Sequence, residues 1–324
     1  MWAVRVNEHG GPEVLSWMEV PHPEPGPGEI LVKVEAAGVN FIDTYQRSGL
    51  YKVKLPFTLG SEGAGEVMAV GPGVTDFAIG DRAAWCQGGS GTYAELCLVP
   101  TDKAVSVPAD VSTELAAASL LQGATAHYLV HDTFPLASGH RCLVHAAAGG
   151  AGRLLVQMAK IVGAEVIATA GGPDKVEMAR TAGADHVIDY NATDFVSAVE
   201  ELVGAKAIDV VYDGVGKATF DQGLTLLRPR GMMVAFGNAS GPPEPISVLR
   251  LSELGSLYLT RPTLGSYTAT PAELRARAKA VFDLLVDHRL EVVIGLRLPM
   301  SQASEAHRRL EGRQTTGKVL LTPG

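Results

Sequence analysis

The sequence between residues 142 and 160, CLVHAAAGGAGRLLVQMAK, joins an apolar run directly to an amphipathic run. Between the two lies the pattern Ala146-x-x-Gly149-x-x-Gly152, with alanine where glycine usually opens such a turn. The apolar run predicts a buried strand, and residues 151–163 predict a helix with one apolar face. Alanine fits the first turn position provided that its φ angle stays negative. The segment therefore predicts a tight strand-to-helix turn.

The same alternation of strand and helix continues from about residue 115 to residue 260. Near-continuous apolar strands separated by helices are typical of a parallel sheet that is covered on both faces. The fold class is therefore α/β, with a Rossmann doubly wound parallel sheet. The predicted strands read CLVHA, AEVIATA, HVIDY, AIDVVYDG, GMMVAFG and SLYLT, and the predicted helices span 114–131, 151–163, 192–203 and 217–227, with one more beginning near Pro173.

Residues 1–110 differ from this part of the chain because they consist of short strands separated by Gly- and Pro-rich turns. The predicted strands there read AVRV, EILVKVEAAGVN, GAGEVMAVG, DRAAW and YAELCLVP. This pattern predicts an irregular, β-rich domain. After residue 265 the sequence predicts a long helix (272–288), a shorter helix (301–311) and a final strand, GKVLLTP. The expected divisions are a first domain over 1–115, the Rossmann domain over 116–264, and a segment over 265–324 that returns to the first domain.

The composition limits the classes of function. The chain has 324 residues and a net charge of −8, and an acidic chain is a poor partner for nucleic acid. Its three cysteines, Cys86, Cys97 and Cys142, are too few and too scattered for a disulfide framework or a four-cysteine zinc lobe. No apolar run reaches membrane-spanning length, and the first residues, MWAVRVNEHG, lack the features of a signal peptide. We expect a soluble, cytoplasmic protein.

In this context the glycine turn has two interpretations. Glycines let the backbone approach a pyrophosphate, and the start of a helix offers free N–H groups and a positive dipole end. The alternative is a tight turn without a ligand, but the repeated strand–helix units that follow it favour cofactor binding. The predicted pyrophosphate-binding residues are Gly149, Gly150, Ala151 and Gly152.

The residues after the second predicted strand indicate which dinucleotide is bound. An NAD site has Asp or Glu about 20 residues beyond the glycine turn, where the carboxylate binds the ribose 2′-hydroxyl. Here Thr169 and Ala170 occupy that region, while Gly171, Lys175 and Tyr190 can surround a 2′-phosphate. A charge-assisted hydrogen bond contributes about 1.5–3 kcal/mol, which favours NADPH over NADH. Two points oppose this interpretation: Asp174 lies next to Lys175, and Lys175 can be an ordinary surface lysine.

Six segments along the chain carry a family resemblance: GVNFIDTYQRSGLY (38–51), LLQGATAHYLV (120–130), HAAAGGAG (145–152), VYDGVG (211–216), RGMMVAFGNASG (230–241) and GSLYLTRPTL (255–264). They resemble the NADPH-dependent quinone oxidoreductases, the zinc-free, zeta-crystallin-like branch of the medium-chain dehydrogenase/reductase superfamily. The resemblance implies a GroES-like fold for the first domain, NADPH as cofactor and a quinone acceptor in a cleft between the domains. It also implies a homodimer, formed through the edge strand SLYLT.

The resemblance also implies roles for individual residues. Zinc-dependent relatives have Cys, His and Cys where this sequence matches Asn40, Ser61 and Gln122, which are not usual zinc ligands, so we expect no metal. Asn40, Tyr45 and Tyr51 match residues that border the nicotinamide and the quinone, and a tyrosine can donate a hydrogen bond to the reduced oxygen. Further cofactor-binding candidates are Thr125, Tyr128, Val215, Phe236, Gly237, Asn238 and Lys318.

Other interpretations stay open for several residues. Each tyrosine can instead be a half-buried loop aromatic, and Lys318 and Arg261 can be ordinary surface residues. Asp43 is expected to pair with Arg47 or with backbone N–H groups rather than to act as a base. Arg153 departs from the family, which usually has an apolar residue there, and it either reaches the pyrophosphate or is exposed.

Two other functions are compatible with the same sequence. An NADPH-dependent enone or enoyl-thioester reductase uses the same fold and the same hydride geometry. A non-catalytic NADPH-binding protein of the crystallin type, or one that binds RNA, is the alternative from a different class. The net charge of −8 disfavours RNA.

Overall fold

The computed structural model describes residues 1–324 and contains sixteen strands and ten α-helices. The strands are β1 (Trp2–Val6), β2 (Leu15–Glu19), β3 (Glu29–Val39), β4 (Phe57–Thr58), β5 (Glu62–Val70), β6 (Arg82–Cys86), β7 (Leu96–Pro100), β8 (Ala104–Ser106), β9 (Arg141–Val144), β10 (Glu165–Ala170), β11 (His186–Asp189), β12 (Ile208–Asp213), β13 (Leu227–Ala235), β14 (Tyr258–Thr260), β15 (Ile294–Pro299) and β16 (Lys318–Thr322). The helices are α1 (Phe41–Ser48), α2 (Thr113–Tyr128), α3 (Gly150–Ile161), α4 (Pro173–Thr181), α5 (Phe195–Val203), α6 (Phe220–Leu226), α7 (Val248–Glu253), α8 (Leu264–Tyr267), α9 (Pro271–Val286) and α10 (Ala303–Glu311). None of these helices combines the length and the apolar character that are needed to cross a bilayer.

The chain divides into two compact units. Unit 1 consists of residues 1–124 together with 268–324, and unit 2 consists of residues 125–267. The first boundary falls inside α2, so this helix contributes residues to both units. The C-terminal segment is therefore part of unit 1, far along the chain from the residues that it joins.

Unit 2 is built around one six-stranded sheet with the order β11-β10-β9-β12-β13-β14, in which every neighbouring pair is parallel. Helices α3, α4, α5 and α6 contact these strands. All six residues of β12 are buried, as expected for a central strand whose two faces are both covered. The predicted α/β class with a doubly wound parallel sheet is confirmed.

Unit 1 contains a seven-stranded sheet, in which β15, β16, β3, β5, β6 and β8 follow one another and β7 also pairs with β3. A separate three-stranded sheet has the order β2-β1-β4. The inner residues of these strands form an apolar core around Trp85, Leu59 and Val32. Strand β16 returns antiparallel to β3, and this pairing brings the C-terminal segment to the candidate site.

Several short elements are absent from the sequence predictions. Residues 41–48 form α1, which the predicted strands and helices do not include. Its start is marked by a carboxylate, because Asp43 accepts a hydrogen bond from the backbone N–H of Asn40 (2.8 Å). Strands β2, β4, β8 and β15 are also absent from the predictions, and all four lie at sheet edges. The short helices α7 and α8 were not predicted either.

Candidate functional site

The glycine turn joins β9 to α3 at the carboxyl edge of the sheet in unit 2. Gly149 precedes the first helical residue, Gly150, so the N–H groups of the first helical turn have no acceptor within the helix. A Cβ atom on Gly152 would lie 2.4 Å from the carbonyl oxygen of Ala146. Only glycine fits there, and the backbone is open to the approach of an anion. The turn therefore has the geometry of a phosphate site.

Ala146 does not meet the condition of a negative φ angle: its φ is 54°, in the left-handed region. The carbonyl of Ala146 accepts a hydrogen bond from the N–H of Gly149 (3.0 Å), and the N–H of Ala147 donates to the carbonyl of Thr169 (3.0 Å). These bonds fix the turn in a conformation that costs a non-glycine residue about 1–2 kcal/mol. The alanine therefore makes the turn strained.

Lys175 lies in the first turn of α4, shortly after β10 ends without a carboxylate. A Cβ atom on Gly171 would lie 2.5 Å from the hydroxyl of Tyr190, so this hydroxyl sits directly against the glycine. The side chain of Asp189 accepts a hydrogen bond from the N–H of Gly172 (2.9 Å), which fixes the entry to α4. The structure thus brings Gly171 and Tyr190 together beside the N-terminus of α4.

The ends of β12 and β13 are followed by four predicted cofactor-binding residues, all of them half-buried: Val215, Phe236, Gly237 and Asn238. The buried carboxylate of Asp213 shapes this edge, because it accepts hydrogen bonds from the N–H of Val215 (2.7 Å) and from Thr219 Oγ1 (2.9 Å). Asp213 was not predicted from the sequence. The available signal was a carboxylate at the end of the buried strand in VYDG.

Arg153 is 4% exposed, so of the two alternatives for this residue, that of an exposed side chain is wrong. Its Nη1 donates a hydrogen bond to the carbonyl of Met178 (2.8 Å) and lies 3.5 Å from Thr181 Oγ1. These groups form the C-terminal end of α4, where a helix dipole favours a cation. The arginine therefore joins α3 to the far end of α4.

His145, which precedes Ala146, was missed by the sequence analysis and is buried under the turn. Its Nδ1 lies 3.0 Å from Thr169 Oγ1, and its Nε2 has no hydrogen-bond partner. Its ring packs edge-on against Phe195, with the ring centroids 5.0 Å apart. Burial lowers the pKa of His145, opposed by the charge of Asp213. The imidazole is therefore held in its neutral form.

In unit 1, a network of buried polar side chains lies where β16 pairs with β3. The antiparallel register pairs Val319 with Val39, which places Lys318 beside Asn40. The Nζ of Lys318 forms an ion pair with Glu62, and both side chains have 0% exposure. The interpretation of Lys318 as a surface residue is therefore wrong. Glu62 was missed, although an acidic residue at the start of an apolar strand was visible in the sequence.

This ion pair fixes the orientation of two amide side chains. Lys318 donates to Asn40 Oδ1 (2.9 Å), and Asn40 Nδ2 donates to Glu62 (2.9 Å) and to the carbonyl of Gly38 (3.2 Å). Since lysine only donates and a carboxylate only accepts, Gln122 must present its NH₂ group to Asn40 Oδ1, at 3.1 Å. The Oε1 of Gln122 is then left buried without a partner. Asn40 therefore has both ends of its side chain engaged inside unit 1.

Asp43 is fully buried in the first turn of α1, and its carboxylate accepts three hydrogen bonds. Its carboxylate accepts hydrogen bonds from the N–H of Asn40 (2.8 Å), from Ser61 Oγ (2.7 Å) and from Tyr93 Oη (2.9 Å). Burial raises the pKa of Asp43 to about 6, although these hydrogen bonds lower it. The expected structural role of Asp43 is confirmed through its contact with a backbone N–H, whereas Arg47, the alternative partner, pairs with Glu311.

Arg47 instead forms a bidentate ion pair with Glu311 on α10, at 2.7 and 2.8 Å. It also approaches His307 Nδ1 (3.1 Å), while His307 Nε2 lies 3.4 Å from Tyr93 Oη. Because arginine only donates, Nδ1 of His307 is the acceptor and Nε2 carries the proton. Burial and the charge of Arg47 together lower the pKa of His307 to about 3. A continuous chain of hydrogen bonds thus connects Glu311 with Asp43.

The predicted aromatic residues fall into two pairs. Tyr45 and Tyr51 meet edge to face with ring centroids 5.2 Å apart, and Tyr51 is the more exposed of the two. In unit 2, Tyr128 is 2% exposed and stacks on Tyr267 with centroids 4.2 Å apart. Thr125 is half-buried in α2. Tyr128 thus supports the neighbouring structure with its ring.

Comparisons with known proteins are consistent with this arrangement. The zinc-binding dehydrogenase family matches residues 150–285, and the alcohol dehydrogenase GroES-like domain matches residues 26–109. A quinone oxidoreductase from Pseudomonas aeruginosa is 46% identical over 97% of this chain and 97% of its own length. The chain belongs to the quinone oxidoreductase family.

Two further relatives bear on this family membership. A 2-haloacrylate reductase from a Burkholderia species is 40% identical over 99% of this chain and 98% of its own length. The structure of Escherichia coli quinone oxidoreductase complexed with NADPH matches with a TM-score of 0.97 and 41% identity, over 100% of both chains. The predicted family is confirmed, and so is the combination of a GroES-like and a Rossmann-type domain.

In this quinone oxidoreductase family member, the positions matched to zinc ligands of metal-dependent relatives lie together. Gln122 is hydrogen-bonded to Asn40, and Asp43 joins Ser61 to the backbone of Asn40. Two amides and a hydroxyl are not the thiolate, imidazole or carboxylate ligands that zinc prefers. No group of three or more His, Cys, Asp or Glu side chains in residues 1–324 is arranged to hold a metal ion. A site without metal stays a prediction.

Proposed function

We propose that this chain transfers reducing equivalents from NADPH to a quinone without using a metal ion. The observation that carries the proposal is the carboxyl edge of the sheet in unit 2, where β10 ends without a carboxylate and Lys175 lies in the first turn of α4. A carboxylate there would repel a 2′-phosphate, whereas a lysine and the N-terminus of a helix attract one. The NADPH complex of the 41% identical Escherichia coli relative supports the same cofactor.

The proposed cofactor site follows this edge from one strand to the next. The glycine turn receives the pyrophosphate, and the residues after β10 and β11 surround the 2′-phosphate. The loops after β12 and β13 receive the nicotinamide half. The residues assigned to direct contact are Gly149, Gly150, Ala151, Gly152, Gly171, Lys175, Tyr190, Val215, Phe236, Gly237, Asn238 and Thr125. Those assigned to support from buried positions are Tyr128, Asn40 and Lys318.

Reduction of a quinone to a quinol consumes one hydride and one proton. NADPH, when bound, supplies the hydride from its nicotinamide ring. We assign Tyr51 to the hydrogen bond with the developing quinol oxygen, because it is the more exposed ring of the Tyr45–Tyr51 pair. We assign Asn40 a supporting role, because its own amide is engaged with Lys318 and Glu62. In this role it accepts a hydrogen bond from Gln122 and so orients that side chain. The proton comes from solvent.

The second candidate is NADPH-dependent reduction of an electron-poor carbon–carbon double bond. It is favoured by one observation, the 40% identity with a 2-haloacrylate reductase over nearly the whole length of both chains. Hydride delivery to an activated alkene needs the same cofactor geometry and also consumes one proton. The two functions differ in the acceptor, and the cofactor site in unit 2 is common to both.

Steady-state NADPH oxidation with a panel of acceptors distinguishes these functions. The panel contains benzoquinone, phenanthrenequinone, a 2-alkenal and 2-chloroacrylate, each assayed with and without a strong chelator. Quinone turnover that is insensitive to the chelator is the expected result. Turnover of 2-chloroacrylate alone supports the second candidate, and loss of activity with the chelator contradicts the metal-free proposal. NADPH binding without turnover of any acceptor, or salt-sensitive RNA retention, points to the non-catalytic alternative.

We also propose that two copies of the chain pair through β14. This strand is the outer strand of the sheet in unit 2, and Tyr258 on it is 58% exposed. Nearby in sequence, Val248 and Leu249 on α7 are 80% and 73% exposed, an unusual exposure for large apolar side chains. Sedimentation equilibrium is expected to give a dimer, and replacing Leu259 by proline is expected to shift the mass toward a monomer.

A further inference from the structure

Arg153 connects α3, the helix that follows the glycine turn, to the C-terminal end of α4. A phosphate would bind at the opposite, N-terminal end of α4. Arg153 is the first residue after Gly152, yet its guanidinium binds the carbonyl of Met178 at 2.8 Å. That carbonyl also accepts hydrogen bonds from Thr181 Oγ1 (3.0 Å) and from the N–H of Ala182 (3.2 Å). Three donors therefore meet at one carbonyl in the last turn of α4.

The position of Arg153 accords with helix electrostatics. A cation in the first turn of α3 opposes the dipole of that helix, whereas a cation at the C-terminal end of α4 is favoured. The side chain of Arg153 extends away from the first turn of α3 and places its charge at the C-terminal end of α4. Its burial to 4% exposure also means that the contact is shielded from water. The contact thus holds the two helices in one fixed arrangement.

Lys175 lies one helical turn before Met178, so about 4.5 Å of helix separates their Cα atoms along the axis. The other end of α4 is held by Asp189, whose side chain accepts a hydrogen bond from the N–H of Gly172 (2.9 Å). The short helix is therefore fixed at both ends. Arg153 provides the link to the helix that begins at the glycine turn.

We infer that Arg153 is a positioning residue for recognition of the 2′-phosphate, because it sets the position of Lys175 relative to the pyrophosphate-binding turn. The inference rests on the proposed NADPH function. A lysine that is displaced by even an ångström loses much of a charge-assisted hydrogen bond. Replacing Arg153 must therefore weaken the binding of NADPH but not that of NADH, which has no 2′-phosphate.

The test compares dissociation constants for NADPH and NADH, measured by fluorescence titration, in the wild type and in Arg153→Leu. The expected result is an increase of about three- to tenfold in the dissociation constant for NADPH, with that for NADH changed less than about twofold. Arg153→Lys keeps a donor and is expected to restore part of the selectivity. The matched control is Lys160→Met, which removes an ion pair between the other end of α3 and Asp185 (2.8 Å). Its ratio of the two constants is expected to stay at the wild-type value.

A double-mutant cycle with Lys175→Met completes the test. If Arg153 acts through Lys175, the double variant loses no more selectivity than Lys175→Met alone. Equal weakening of NADPH and NADH in Arg153→Leu would show direct pyrophosphate contact and overturn the inference, as would an unchanged ratio. A wild-type protein that binds no NADPH overturns the proposed function itself, which separates the two failures. Should Arg153→Leu not fold, Arg153→Lys is measured in its place, both alone and combined with Lys175→Met.

Discussion

Lys318 and Glu62, separated by 256 residues in the chain, form an ion pair from which solvent is fully excluded. Each charge has further hydrogen bonds, since Lys318 also binds Asn40, and Glu62 also accepts from the N–H of Leu121. Removing one partner of such a buried ion pair destabilises the folded protein, because the remaining charge has no compensation.

Replacing Lys318 by methionine is expected to lower the free energy of unfolding by about 3–5 kcal/mol, because Glu62 remains as a buried, uncompensated charge. Urea denaturation followed by circular dichroism measures this loss. The double variant with Glu62→Leu is expected to recover most of it. Arg297→Met is the control, since its pair with Glu114 is solvent-exposed and contributes little. A loss in Lys318→Met as small as that of the control contradicts the argument.

Replacing Ala146 by glycine is expected to stabilise the protein by up to about 1 kcal/mol, because glycine accepts the φ angle of 54° without steric cost. The gain is smaller than the full strain because glycine also has more freedom in the unfolded chain. Ala147→Gly is the matched control; it is buried with an ordinary φ angle, and its replacement is expected to destabilise. Urea midpoints of the two variants that move in the same direction would refute the assignment of strain.

His307 makes the stability of the folded protein depend on pH. Its pKa is lowered to about 3 by burial, so between pH 3 and pH 6.5 the unfolded chain binds one more proton at this position. The free energy of unfolding therefore falls on acidification through this window. His307→Gln keeps an acceptor for Arg47 and a donor for Tyr93 but does not titrate. From pH 7 to pH 4.5, the wild type is expected to lose about 2–3 kcal/mol more than the variant.

Comparison with the variant is necessary because other groups titrate in the same range. The pKa of Asp43 is raised to about 6 by burial, so its protonation stabilises the folded state as the pH falls, opposite to His307. The buried His145 acts in the same direction as His307, and the ion pair of Arg47 with Glu311 adjoins the imidazole. Urea titrations at a series of pH values that give parallel curves for wild type and variant would exclude the role of His307.

Lys175 is expected to determine the choice of cofactor. Lys175→Met should lower the ratio of kcat/KM for NADPH to that for NADH by about ten- to a hundredfold, because one charge-assisted hydrogen bond to the 2′-phosphate is lost. Lys175→Glu should invert the preference by repulsion. Arg180→Met, on the same helix but paired with Glu177 in solvent, is the control and should leave the ratio unchanged. Ratios that barely move in either Lys175 variant would remove the argument for NADPH.

The sequence predicts those parts of the molecule that depend on local patterns. The strands of unit 2 are apolar runs, and the helix after the glycine turn has a regular apolar face, so both can be recognised without the structure. The glycine turn and the residues following β12 and β13 are also located by their place after a strand. The pattern of neighbouring residues in the sequence is therefore sufficient to predict these strands, this helix and these loops.

Contacts between distant residues could not be predicted in this way. The partners of Lys318 follow from the register of β16 against β3, which no local pattern records. The contact of Arg153 with Met178 depends on how α3 and α4 pack, and the φ angle of Ala146 depends on hydrogen bonds from neighbouring loops. A charged residue inside an apolar segment, such as Glu62 or Asp213, was the one signal that was visible and not used.

The interleaving of the two units has a consequence for biosynthesis. Residues 125–267 are contiguous, so this unit can fold on the ribosome as soon as it has emerged. Glu62, by contrast, must wait for more than 250 further residues to be translated before its cation arrives on β16. The nascent N-terminal portion therefore lacks this ion pair until translation is nearly finished.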